Sequence, residues 1–408
     1  MNPMKSSYRW AILFILVFGT AMLNFSNLIF ASRPTDVMAQ FNMTQTQLTA
    51  ISTVGQLPGA FFSVWLGRMV DKKGVRMLPG VLLALAAVCQ IWRCFAADFV
   101  SLFIITFLAG AFFLPTQVLQ GKMLGAWFSR EEMGTAMGIY GAAAGVGTTL
   151  AFALGGLFPT IRIAFIVIAI GYVLEAVLWF IVAKMPNDAA SAGPAPEQPK
   201  GSLRHVITSK NMWMVTICGG LSVGAALLLN SYLVNAFLAK GMEPAAASTI
   251  ATLLNVCLLI GSVLSGIVVS KVGRYNIPYI VICVGGAALY YLAYMLPISA
   301  LTYVLVAAGG IIVAGSIGVN MARIPLVPLT GDFGPEDVGS AGGMNNTAVG
   351  ICGFLLPVIV ANFVGDNYTM IFTLMAIFLV IIAIVGGILL PELGEKGKLA
   401  QAAKKNQQ

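Results

Sequence analysis

Twelve apolar runs, each about twenty residues long, follow one another along the chain, near 10-31, 47-69, 77-96, 100-122, 135-157, 160-184, 211-238, 246-270, 276-297, 301-324, 340-362 and 369-390. At the α-helical rise a run of that length matches the hydrocarbon core of a bilayer. Inside that core every backbone N–H and C=O needs a partner from the protein, which leaves helices and closed barrels, and these runs are far too long for barrel strands. The chain is therefore expected to be an all-α membrane protein with twelve transmembrane helices. The first run is too long for a signal peptide's apolar core and lacks a small-residue cleavage site, so it is expected to remain as the first span. Composition agrees: 59% of the residues are hydrophobic and 9% charged, against roughly 25% charged in soluble domains.

The basic residues set the orientation. With both termini in the cytoplasm, Lys5, Arg9, Arg68, Lys72, Lys73, Arg76, Lys122, Arg130, Lys184, Lys200, Arg204, Lys210, Lys271, Arg274, Arg323, Lys396, Lys398, Lys404 and Lys405 lie on that side, 19 of 23. Arg33, Arg93, Arg162 and Lys240 fall toward the other. The positive-inside rule thus puts both termini in the cytoplasm of a plasma (inner) membrane protein, and the net charge of +8 is a topology signal, not a nucleic-acid footprint.

Chemistry-bearing groups are sparse. Cys89, Cys94, Cys218, Cys257, Cys283 and Cys352 all lie in apolar runs without metal-ligand spacing, and His205 sits in a polar connection. With no catalytic triad, paired carboxylates or phosphate-cradling glycine loop, the chain is expected to be no enzyme and to use no cofactor or metal.

Residues 186-201, PNDAASAGPAPEQPKG, carry no apolar stripe and interrupt the runs between the sixth and seventh. They divide the chain into a six-helix bundle over 1-185, a cytoplasmic linker over 186-210, a second bundle over 211-392 and a tail over 393-408. The halves repeat one another. EEMGTAMG at 131-138 recurs as EDVGSAGG at 336-343, and LNFS around Asn24 recurs as LNSY around Asn230. GRMVDKKGVR at 67-76 has a weaker copy, GIVVSKVGRY, at 266-275, with Ser270 in place of Asp71. Such self-similarity is the mark of a duplicated six-helix unit.

Gly67, Asp71, Gly74 and Arg76, between the second and third spans, fit the signature loop of the major facilitator superfamily, which the chain resembles in topology from about residue 9 to 390. The resemblance implies a 6+6 pseudo-twofold fold whose halves rock about a central cavity lined by spans 1, 4, 7 and 10. It also implies that Asp71 faces the start of span 11, where exposed amides carry partial positive charge. Lys72, Lys73 or Arg76 would then meet Glu336 or Asp337, and by pseudosymmetry Lys271 or Arg274 would meet Glu131 or Glu132, latching the cytoplasmic side. The plainer alternative is that the acids cap helices and the bases only set topology, since surface ion pairs contribute ~0–1 kcal/mol.

Polar residues on the implied lining spans are the substrate-binding candidates, because each is costly in lipid unless partnered. They are Asn24 and Asn27 in span 1, Gln117, Gln120 and Lys122 in span 4, Asn230 and Tyr232 in span 7, Asn320 and Arg323 in span 10 and Asn345 in span 11. Helix-to-helix hydrogen bonding is the competing role for each amide, and snorkelling to the headgroups for Lys122 and Arg323. Read as ligand contacts, the two cations favour an anion, with the arginine able to grip a carboxylate through two N–H groups. Glu175 in span 6 is the one deep carboxylate and so the proton-coupling candidate; Glu175 and Arg93 could instead simply hold structural partners.

Ala126, Trp127, Phe128, Gly134, Ala136 and Gly138 look like the stretch after span 4 in the anion and carboxylate branches of the superfamily: the oxalate/formate, monocarboxylate, cyanate and nitrate groups. Spans 2 and 8 lack the arginines that grip the anion in the nitrate group. The expectation is a monomeric secondary transporter in the bilayer that moves a small organic anion by alternating access, with a co- or counter-transported ion. The alternatives are a proton-coupled exporter of neutral or amphipathic compounds and a transport-inactive receptor on the same scaffold.

Overall fold

A computed structural model describes residues 7–128, 130–185, 203–334, 337–365, 367–394 and 396–397, with side chains undescribed at some positions in and near the helices of the signature loop and its second copy. The chain forms two compact units, Met1–Pro196 and Glu197–Gln408. In the first lie α1 (Tyr8–Ser32), α2 (Pro34–Phe41), α3 (Gln45–Thr53), α4 (Leu57–Lys73), α5 (Met77–Arg93), α6 (Phe99–Trp127), α7 (Arg130–Gly155) and α8 (Ile161–Val182). In the second lie α9 (Leu203–Thr208), α10 (Lys210–Ala239), α11 (Pro244–Val272), α12 (Asn276–Met295), α13 (Ala300–Arg323), α14 (Val338–Val364) and α15 (Tyr368–Ala383).

Each of the apolar runs falls on a helix. Among the described residues nine helices are long and apolar enough to cross a bilayer, and Met77–Arg93 and Ile139–Gly155 are shorter apolar helices. The second run is split. Its α3 and α4 are joined by one turn of 3₁₀ helix, Val54–Gln56, because Pro58 has no N–H to return to residue 54 and the backbone tightens ahead of it. Two short helices lie outside the runs, α2 and α9; the latter holds His205, so the connection expected to be irregular through residue 210 is helical from Leu203 to Thr208. Helix starts are set by polar caps. Asp98 accepts from the Ser101 N–H at 2.8 Å, which stabilises its charged form and holds its carboxyl below the usual range. Ser209 accepts from Met212 N at 3.0 Å at the head of α10.

The duplication read from the sequence is repeated in the packing. In the first unit α1 packs on α7, α4 on α6 and α5 on α8; in the second α10 packs on α14, α11 on α13 and α12 on α15. The signature loop and its copy turn at Gly74 and Gly273, with φ of 82° and 66°, a left-handed conformation open to glycine at little strain. Small residues let the helices close. Gly147 of α7 lies against the backbone of Ala21 in α1, and Gly353 of α14 lies against Leu227 of α10.

Candidate functional site

The first unit buries a cation. Arg93, the last residue of α5, is 1% exposed, and its Nη1 donates to Ser26 Oγ of α1 at 2.6 Å and to Gln90 Oε1 at 3.0 Å. Its Nη2 donates to the Ser26 carbonyl at 2.9 Å. The guanidinium lies over the rings of Phe30 and Phe165, 4.2 and 4.4 Å from their centroids, where ring quadrupoles attract a cation more strongly for want of competing water. Three helices, α1, α5 and α8, are thereby tied to one charge.

Glu175 lies further along α8. Ten residues of helix, about 15 Å at 1.5 Å per residue, separate it from Phe165, and Tyr172 stands one turn before it on the same face. The carboxyl is 1% exposed, and neither oxygen has a hydrogen-bond partner among the described residues. Its nearest neighbours include Gly19 of α1, where a Cβ would lie 2.5 Å from Oε1 and 3.0 Å from the Phe113 ring. The glycine opens the space the carboxyl fills. A carboxyl held by shape, without a donor to lose, can take up and release a proton without breaking a hydrogen bond.

The second unit buries Arg323 at the end of α13, 0% exposed. Nη2 donates to Asn276 Oδ1 at 3.1 Å, the guanidinium lies 4.2 Å from the Tyr279 ring centroid, and Nε and Nη1 have no acceptor among the described residues. Cys218 of α10 and Gly386 complete this corner; a Cβ on Gly386 would sit 3.0 Å from the thiol and 3.1 Å from Nη1. One residue along α10, Gly219 faces two amides, Asn320 of α13 and Asn345 of α14. Asn320 Nδ2 donates to the Val215 carbonyl at 3.1 Å, while Oδ1 of both asparagines has no donor among the described residues. The structure thus brings Asn320, Asn345 and Arg323 to adjoining places around residues 218 and 219.

The remaining candidates are held by other contacts within their own units. Asn230 Nδ2 donates to the Ala226 carbonyl and its Oδ1 accepts from Asn255 of α11 at 2.9 Å. Asn24 makes the matching bond in its own helix, to the Thr20 carbonyl. Asn27 presses its amide on Gly55, where a Cβ would lie 2.6 Å from Oδ1. The Tyr232 ring packs edge-on to Tyr368. Gln117 and Gln120 are half-buried on α6, and Lys122 is exposed.

Several residues of the expected latch have partners inside their own unit. Glu132 pairs with Arg9 of α1 at 2.6 Å, and Arg76 Nε donates to the Phe180 carbonyl at the end of α8, 2.9 Å away. Asp337 is buried, 3.4 Å from Nδ1 of His205. Gly67 lies within α4, while the side chains of Asp71, Lys72, Glu131 and Lys271, and residue Glu336, lie outside the described part.

Sequence reasoning passed over Gln90, Tyr172, Asn255, Asn276 and Tyr279. A signal was available: Gln90 and Arg93, Tyr172 and Glu175, and Asn276 and Tyr279 are each three residues apart on one helix, the spacing that stacks polar groups on one face. Among the described residues no cluster of His, Cys, Asp and Glu could hold a metal ion.

Known proteins fit this architecture. A Thermus thermophilus protein described as a probable nitrate/nitrite antiporter, NarK1, is 22% identical over 382 residues, covering 86% of this chain and 84% of its own. An inward-facing bacterial homolog of the human lysosomal transporter Spinster superposes with a TM-score of 0.72 at 15% identity, over 93% of this chain and 96% of its own. A mutant of the nucleoside transporter NupG does so at 0.71 and 14%, over 92% and 98%. These relatives are transporters and not enzymes. The model of the Major Facilitator Superfamily matches residues 13–357, and with most of its length covered the chain is a multi-pass membrane transporter that belongs to that superfamily.

Proposed function

We propose that this transporter moves a small organic anion, a carboxylate, by alternating access. The observation that carries the reading is Arg323: a guanidinium sealed in the second unit with, among the described residues, one hydrogen bond and two nitrogens lacking an acceptor. An under-partnered buried cation is costly, and an arriving anion offsets that cost through charge-assisted bonds. The relative described as a probable nitrate/nitrite antiporter supports an anion as cargo. A carboxylate is preferred over nitrate because no arginine lies within the apolar runs 47-69 and 246-270 except Arg68 at the very end of the first.

The test is thermal unfolding of the purified protein in detergent with carboxylates, nitrate and neutral metabolites. A carboxylate should raise the midpoint in the wild type, less in Arg323→Lys, which keeps the charge without the fork, and not at all in Arg323→Ala. Stabilisation by nitrate alone, or by neutral compounds only, defeats the carboxylate reading.

Glu175 favours a second, compatible reading in which transport is coupled to protons, because its carboxyl oxygens have no donor among the described residues. In proteoliposomes Glu175→Gln should retain substrate exchange and lose acceleration by a pH gradient. Unchanged gradient dependence removes Glu175 from the coupling step. The latch between Asp71, Lys72 or Arg76 and the start of span 11 belongs to the same proposal; Arg76 would have to exchange its Phe180 carbonyl for the acids of the other half.

A further inference from the structure

Beyond its last span the chain doubles back on the loop between α11 and α12, the second copy of the signature loop. Glu392 accepts from the N–H groups of Tyr275 at 2.8 Å, Asn276 at 3.0 Å and Gly394 at 2.9 Å. Asn276 Nδ2 donates to the Leu390 carbonyl at 2.7 Å, and Lys396 N to the Gly273 carbonyl at 3.0 Å. The glycine at 273 also makes room for the Lys396 stem, whose Cγ and Cε lie 3.3 Å from where a Cβ would be. The strap therefore sets Lys396 beside Arg274.

These two cations border a groove of about 600 Å³ whose other walls are Val272, Ile277, Pro278, Val281 and Ile282. It adjoins a second hollow of about 410 Å³ toward Pro391 and Glu392. The apolar wall is open: Ile277 is 56% and Val281 63% exposed, on a helix that the family places in the bilayer. One end is cationic and the other greasy. Among the described residues the carboxylate at the groove, Glu392, already accepts from two backbone N–H groups at the head of α12 and from that of Gly394, so it occupies the helix N-terminus and leaves the cations to the groove.

We infer that this groove binds an anionic phospholipid, with the headgroup phosphate between Arg274 and Lys396 and an acyl chain along Ile277 and Val281. Basic pockets at helix ends beside the headgroup layer take such lipids. The chain's own end is a poor occupant of a cationic groove, because residues 398-408 carry Lys398, Lys404 and Lys405 and no acid. The bound phosphate would bridge strap and loop and hold the second copy of the signature loop in place.

Native mass spectrometry of the delipidated full-length protein tests this, with phosphatidylglycerol and phosphatidylcholine of the same acyl chains and, separately, inorganic phosphate. Phosphatidylglycerol should be retained about ten-fold better than phosphatidylcholine and fall to its level in Arg274→Gln/Lys396→Gln, with Lys396→Arg retaining the preference in the Arg274 background. Raising salt on the wild type should weaken the first lipid and spare the second, a readout that needs no variant. Equal retention of the two lipids, undiminished phosphatidylglycerol in the double variant, or displacement by inorganic phosphate at equal concentration each overturns the inference. None of these readouts depends on the transported substrate.

Discussion

Arg93 and Arg323 are both sealed from solvent and both lie over aromatic rings, but their surroundings differ. Arg93 makes three hydrogen bonds, to Ser26 twice and to Gln90, and pins α1 to α5. Arg323 makes one, to Asn276, and two of its nitrogens have no acceptor among the described residues. The deep carboxyl is divided oppositely: Glu175 lies in the first unit, while the acid nearest Arg323 in chemistry, Glu392, is spent on the backbone of the strap. Arg93 too has one nitrogen, Nε, without an acceptor among the described residues, so the difference is one of degree: a buried cation with three bonds to two helices behaves as a fastener. Arg323, with a single bond and two such nitrogens, has more donors to give, and this is why the binding proposal rests on the second unit and not on the first.

The sharpest way to break that contrast is to remove each cation. Arg93→Met strands Gln90 Oε1, at roughly 1–3 kcal/mol for a buried acceptor left unpaired, removes the bonds to Ser26 Oγ and carbonyl, and loosens α1 from α5. Arg323→Met strands one acceptor, Asn276 Oδ1, and relieves a cation short of partners, so the two effects largely offset. Membrane yield and the detergent unfolding midpoint should fall markedly for Arg93→Met and little for Arg323→Met, while ligand stabilisation is lost only in the latter. Equal destabilisation would make Arg323 a second fastener and leave the carboxylate without its anchor.

The helices themselves, the duplication and the signature loop were legible because bilayer length, internal repetition and glycine turns are local signals. Gly74 and Gly273 are the clearest instances: two glycines in copied decapeptides both adopt positive φ. What the pattern could not give was rotation. Asn24 and Asn230 look equivalent in sequence, and both do bond four residues back, yet among the described residues only Asn230 reaches across to another helix, at Asn255. Which face of a nearly all-apolar helix meets its neighbour is decided by packing in three dimensions, and a helix apolar on all sides carries no stripe to announce it. The strap was illegible for a different reason: Glu392 acts through backbone N–H groups 116 and 117 residues away, and no side-chain motif marks such a contact.

A smaller effect sharpens the comparison at the level of packing. Gly147 and Gly353 lie on the corresponding helix pairs of the two units, α1–α7 and α10–α14, but a Cβ at 147 would run into the backbone of Ala21, whereas at 353 it would meet the Leu227 Cδ1 tip at 3.3 Å and Val223 Cγ1 at 3.7 Å. Backbone cannot step aside without moving a helix, and a leucine tip can rotate. Gly147→Ala should therefore destabilise by about 1–3 kcal/mol through overpacking. Gly353→Ala should be close to neutral, since any crowding is set against the ~1 kcal/mol by which alanine outranks glycine inside a helix. Unfolding midpoints in detergent decide between them. If the two substitutions cost the same, the helix contact at Gly147 is no tighter than that at Gly353, and this packing contrast between the two units fails.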